Sequence, residues 1–128
     1  MIYVDSSVVL AHLLGENRSP PDTLWRGPVT SSRLLEYEVW NRIHAYRLGR
    51  SHGEETQAFI AGFVLMELSP AILVRALEPF PVSVRTLDAL HLATVEFIRR
   101  REPNVELASY DKRLLAGAQA LGISTYAA

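Results

Sequence analysis

The chain has 128 residues, 48% of them hydrophobic and 21% charged, which suits one compact domain over residues 1–128 with a real core. A net charge of −1 excludes a broad basic field, and the absence of cysteine excludes disulfides, thiolate chemistry and any Cys-containing zinc site. Lys112 is the only lysine among thirteen basic residues; the arginine excess suits planar contacts with phosphate or carboxylate, and GC-rich codon usage would give the same bias.

Residues 2–5 read as a short buried strand. Ser6 or Ser7 can cap a helix running through Val8, Val9, Leu10, Leu13 and Leu14. A Gly15–Pro21 loop leads to a short helix near Asp22–Arg26, and Val29-Thr30 starts a second strand ending at Ser31-Ser32. A helix from about Arg33 to Leu48 is stopped by Gly49, and Ser51-His52-Gly53 separates it from a helix over 54–63. Val64–Leu68 is a third strand, and Ser69-Pro70 starts a helix to about Leu77. Pro79 and Pro81 break the chain before a long helix over 86–100. A strand at 105–109, a helix at 111–121 with Gly122 as its C′ residue, and a strand at Ile123–Tyr126 complete the order. Strands separated by helices predict an α/β fold with a parallel sheet covered on both faces. The start of the chain lacks the character of a signal peptide and no apolar stretch is long enough to span a bilayer, so the cytoplasm is the expected compartment.

The chemistry lies in the acids. The chain has only four aspartates, and three follow a strand or open a helix: Asp5 after Ile2-Tyr3-Val4, Asp88 in Thr86-Leu87-Asp88-Ala89-Leu90-His91, and Asp111 after the run 105–108. Open parallel sheets place their sites beyond the carboxyl ends of the strands. Carboxylates gathered there repel one another unless a cation holds them, so the spacing points to a metal site. Asp5 and Asp111 could instead be plain N-caps, although neighbouring serines offer substitutes. Asp88 gains from the helix dipole, yet it opens a helix apolar nearly all round. His91, one turn on, faces the same way and reads as a hydrogen-bonded structural residue.

A fourth acid comes from Glu36-Tyr37-Glu38. Residues on a helix rotate by about 100° each, which puts Glu38 within the face of Leu34, Leu35, Val39, Ile43, Ala45 and Tyr46. Glu36 falls just beyond that face, roughly 100° from Leu35. A carboxylate in an apolar face needs a partner, either Arg42 one turn on or a metal. Glu38 is the choice and Glu36 the fallback.

Together these segments resemble the PIN-domain ribonucleases, and within them the VapC toxins of type II toxin–antitoxin modules. The resemblance rests on Tyr3-Val4-Asp5-Ser6-Ser7, Ser31-Ser32-Arg33-Leu34, Glu38-Val39-Trp40-Asn41, Leu87-Asp88-Ala89-Leu90-His91-Leu92-Ala93 and Ser109-Tyr110-Asp111-Lys112-Arg113-Leu114, in family order. The step from Ser32 to Glu38 also looks like the family's, which favours Glu38 over Glu36. Ser109 stands where many members have Thr. The resemblance implies an α/β/α sandwich around a parallel sheet, with Asp5, Glu38, Asp88 and Asp111 converging on Mg²⁺ or Mn²⁺. It also implies an endoribonuclease that forms a homodimer and is silenced by a cognate antitoxin.

Oxygen ligands without cysteine or paired histidines suit a hard cation, one ion or two. Asp5, Asp88 and Asp111 are expected as ligands, directly or through water. Glu38 is expected as a ligand or as the group that positions the attacking water. Ser6 and Ser109 are expected to orient the carboxylates from behind. An aspartyl phosphatase would need an acid where Ser7 stands, a phosphoacceptor domain would need a lysine other than Lys112, and a silent scaffold would not need the acids at all. For a dimer surface, Phe59, Ile60, Phe63, Ile72, Leu73 and Leu77 are candidates, although core is their commoner use.

Overall fold

The computed structural model describes residues 1–128. Strand β1 (Ile2–Val4) leads into helix α1 (Ser6–Leu14), and a 3-10 turn (Asp22–Arg26) precedes β2 (Val29–Ser32). Then come α2 (Leu34–Ala45), α3 (Gly49–Ala61), β3 (Val64–Met66), α4 (Pro70–Ala76), α5 (Thr86–Arg99), β4 (Glu106–Ala108), α6 (Lys112–Ala120) and β5 (Ser124–Thr125). The five strands form one parallel sheet in the order β3-β2-β1-β4-β5, with β1 paired to β2 on one side and β4 on the other. The α/β fold with a central parallel sheet is therefore as the sequence predicts.

Alternation along β1 splits the core in two. Val4 packs with Val8, Val9, Leu35, Val39, Ile43 and Ile60 under α1, α2 and α3. Tyr3 packs with Leu92, Val95, Ile98, Leu107, Leu114 and Ala118 under α5 and α6. Helices on both faces complete the α/β/α layering. Strand β2 is buried throughout yet polar, and its hydroxyls find carbonyls on neighbouring strands: Thr30 donates to the Val64 carbonyl and Ser31 to that of Val4, each at 2.6 Å.

Two boundaries differ from expectation. The helix predicted over 54–63 begins at Gly49, because Ser51-His52-Gly53 continues the turn instead of breaking it. The stop falls earlier, at Arg47, whose φ of 56° puts it in the left-handed region that non-glycine residues seldom enter. Ala45 and Tyr46, the last residue and the C-cap of α2, are consequently exposed, and only Leu35, Val39 and Ile43 of the predicted face are fully buried. The predicted caps hold at Ser69, which accepts from the Ile72 N–H, and at Gly122, whose φ is 71°. No helix is long and apolar enough to cross a membrane.

Candidate active site

The reversal of strand order falls between β1 and β4, and a crevice opens there beyond the carboxyl ends of the strands. Asp5 sits at that point, 5% exposed and with extended backbone. It is the N-cap of α1 after all, its Oδ1 accepting from the Val8 N–H at 3.3 Å. Two serines hold the carboxylate: Ser7 Oγ donates to Oδ1 and Ser109 Oγ to Oδ2, each at 2.6 Å. The same hydroxyls accept from the loop after β4, Ser7 from the Tyr110 N–H and Ser109 from the Asp111 N–H, both at 2.9 Å. Burial pushes the Asp5 carboxyl above its usual range, with the hydroxyls of Ser109 and Ser7 pulling in the opposite direction. Ser7, not the expected Ser6, shares this role with Ser109; Ser6 opens α1 and lines the cavity.

The other acids arrive from three more helices. Asp88 in the first turn of α5 is 7% exposed, and its Oδ2 accepts from the Arg85 N–H at 3.1 Å. Asp111 caps α6, with Oδ1 accepting from the N–H groups of Arg113 and Leu114. Glu38 on α2 binds neither Arg42 nor a second acid. Its Oε1 meets His91 Nε2 at 2.6 Å, while the Arg42 guanidinium lies over the Tyr46 ring. Glu36 turns away and pairs with Arg33 at 2.7 Å.

Asp5, Glu38, Asp88 and Asp111 all line one cavity of about 1090 Å³, with Arg18, Arg42 and Arg85 at the same walls. Glu36 and Lys112 are not among its lining residues. The acids share the cavity without closing up: no three Asp, Glu or His side chains come together as a metal-holding group. Each is drawn instead to the protein donors just described. Even so, the donor set fits a hard cation. Asp88, Asp111 and Glu38 each bind protein through one oxygen and leave the other without a protein partner. No arginine or lysine forms an ion pair with any of the four acids. Oxygen-only donors with spare lone pairs are what Mg²⁺ or Mn²⁺ takes.

The family model of the PIN domain matches residues 2–119. The chain belongs to the PIN-domain family. Among curated relatives of this PIN domain, ribonuclease VapC46 of Mycobacterium tuberculosis is 30% identical, with 98% of this chain and 96% of the relative covered. Ribonuclease VapC47 of the same species is 26% identical, with coverage of 98% and 95%. Among solved structures, a toxin–antitoxin complex from Klebsiella pneumoniae aligns with a TM-score of 0.70 over 94% of each chain. At 19% identity that likeness bears on the fold. Within this PIN domain the sequence named the four acids but missed Ser7 and the pairing of Glu38 with His91. The Asp-x-Ser spacing after Val4 offered a signal for the first; nothing local offered one for the second.

Proposed function

We propose that this PIN domain, working as one unit over the whole chain, is a metal-dependent endoribonuclease and the toxin of a type II toxin–antitoxin module. The observation that carries the reading is that Asp5, Glu38, Asp88 and Asp111, from four separate segments, line one cavity with no basic side chain neutralising Asp5, Asp88 or Asp111. Its VapC-named relatives support RNA as the substrate, and the toxin–antitoxin neighbour supports an antitoxin partner. The compartment is the cytoplasm.

Asp5, Asp88 and Asp111 hold Mg²⁺ or Mn²⁺, with Glu38 either completing the set or orienting water. The cation, when bound, supplies charge to activate water and to offset the charge building on the phosphate. The protein does the rest. Ser7 and Ser109 fix both oxygens of Asp5, and the first turns of α5 and α6 fix Asp88 and Asp111. Arg18, Arg42 and Arg85 stand where the RNA backbone enters and draw its phosphates to the acids.

Asp5→Asn tests this directly. Wild type cuts RNA with Mg²⁺ and stops in EDTA, whereas the variant stays folded and does not cut. Equal cutting by both would remove Asp5 from the site. Metal binding by wild type without cleavage of any RNA would instead favour a silent scaffold.

A further inference from the structure

From the cavity wall three side chains form a hydrogen-bonded chain that runs into the core. Tyr3 Oη lies 2.6 Å from His91 Nδ1, and His91 Nε2 lies 2.6 Å from Glu38 Oε1. Tyr3 is fully buried and His91 is 3% exposed. Their chemistry fixes the direction of each bond. A carboxylate only accepts, so Nε2 carries the proton and donates to Glu38. In the neutral ring Nδ1 is then an acceptor, and the phenol of Tyr3 donates to it.

The placement is built in by two short spacings. Asp5, still extended just after β1, is two residues from Tyr3 and so lies on the same face. On α5, Asp88 and His91 are three apart and share a face of the helix. The end of β1 and the start of α5 thus each contribute an acid to the cavity, and one residue to the support behind Glu38. The third acid, Glu38, is bound at its other end to neither Arg42 nor any further cation.

We infer that His91 is a positioning residue for Glu38, and that Tyr3 acts through His91 by anchoring its ring at Nδ1. With Oε1 pinned, Oε2 is left as the oxygen that serves cation or water. Without the Tyr3 hydroxyl Nδ1 loses its only partner in a buried site, and the ring is held by Glu38 alone. This rests on the ribonuclease reading, so the test includes readouts that do not need cleavage.

Three variants are compared with wild type: His91→Leu removes the donor, His91→Gln keeps an N–H able to reach Glu38, and Tyr3→Phe removes only the hydroxyl. Single-turnover RNA cleavage, Mn²⁺ affinity by calorimetry and long-range ¹H–¹⁵N spectra of the imidazole are recorded on each folded protein. His91→Leu should lower kcat by about 10–100-fold with little change in KM, and weaken Mn²⁺ to a similar degree. His91→Gln should recover most of both losses. Tyr3→Phe should fall between them, with the imidazole Nδ1 signal shifted by loss of its hydrogen bond. The inference is overturned if wild type shows the Nδ1–H tautomer, or if His91→Leu and Tyr3→Phe bind Mn²⁺ as wild type does. Should His91→Leu fail to fold, the wild-type tautomer and the Gln and Phe variants still decide. Absence of cleavage in wild type with the Mn²⁺ pattern intact would count against the ribonuclease reading alone.

Discussion

Asp5 shows how a single side chain can set stability against the role proposed for it. Its carboxyl is raised by burial, so between the usual aspartate value of about 3.9 and the folded value the native state binds more protons than the unfolded one. Stability therefore falls as pH rises through that window, and the full cost is present above it. Asn caps a helix as well as Asp, and the serine hydroxyls can turn to suit an amide. In EDTA, Asp5→Asn should consequently melt a few degrees above wild type at neutral pH, with the gap closing below about pH 4. Adding Mg²⁺ should raise the melting point of wild type more than that of the variant. A variant less stable than wild type at pH 7 would contradict the burial argument. The same residue shows what could be read without coordinates. An aspartate after an apolar run and before a helix is visible as a pattern, whereas its hold by Ser109 spans 104 residues and depends on strand order. Glu38 was reachable from the helical wheel, but its partner was not. His91 and Arg42 were both one helical turn from something plausible, and only the fold, which brings His91 of α5 to within 2.6 Å of Glu38 of α2, decides between them.

At the level of elements, two glycines make opposite predictions. Gly117 in α6 lies against α5, where an added Cβ would come 2.7 Å from Leu92 Cδ1 and 3.2 Å from Val84 Cγ1. Leu92 is fully buried and has little room to give. Alanine there gains about 1 kcal/mol of helix propensity, but overpacking costs about 1–3 kcal/mol and should win. Gly117→Ala should be the less stable protein by roughly 1 kcal/mol in urea unfolding, with a tilt of α5 that also disturbs Asp88 and His91. At Gly53 in α3 the added Cβ would meet only Trp40, at 3.9 Å. Gly53→Ala should therefore gain about 0.5–1 kcal/mol. Loss of stability at Gly53 would mean that this segment is not helical. This is also where the sequence misled: Ser51-His52-Gly53 has loop composition, yet Trp40 shields Gly53 and the helix runs through it. Apolar runs and capping residues located the other elements, because those signals act within a few residues of the chain.

At the scale of the molecule, parallel pairing followed from the alternation of strands and helices, but the order β3-β2-β1-β4-β5 comes from which faces bury one another. The same burial divides the residues considered for a dimer surface. Ile60 and Ile72 are core, while Leu73 and Leu77 are 43% and 87% exposed. Val74, Val82 and Leu87 are exposed beside them in the sequence, so most of the large apolar residues facing solvent lie between 73 and 87. Leu73, Leu77 and Val82 line a second groove of about 700 Å³ that shares Arg85 and Thr86 with the acidic cavity. Exposed apolar side chains gathered along one groove are costly in water and suit a partner. For the homodimer that the family resemblance implies it is the face with apolar area to bury, and a stable pair needs about 800 Å² from each copy. Light scattering should then give twice the chain mass of 14.3 kDa at micromolar concentration. Leu77→Glu should return a folded monomer, because a charge on so exposed a side chain shifts folding stability by only about 0.5 kcal/mol. A wild type that stays monomeric at every concentration would remove the homodimer. A dimer indifferent to Leu77→Glu would place its interface on another face, and leave this groove beside the acids to the antitoxin.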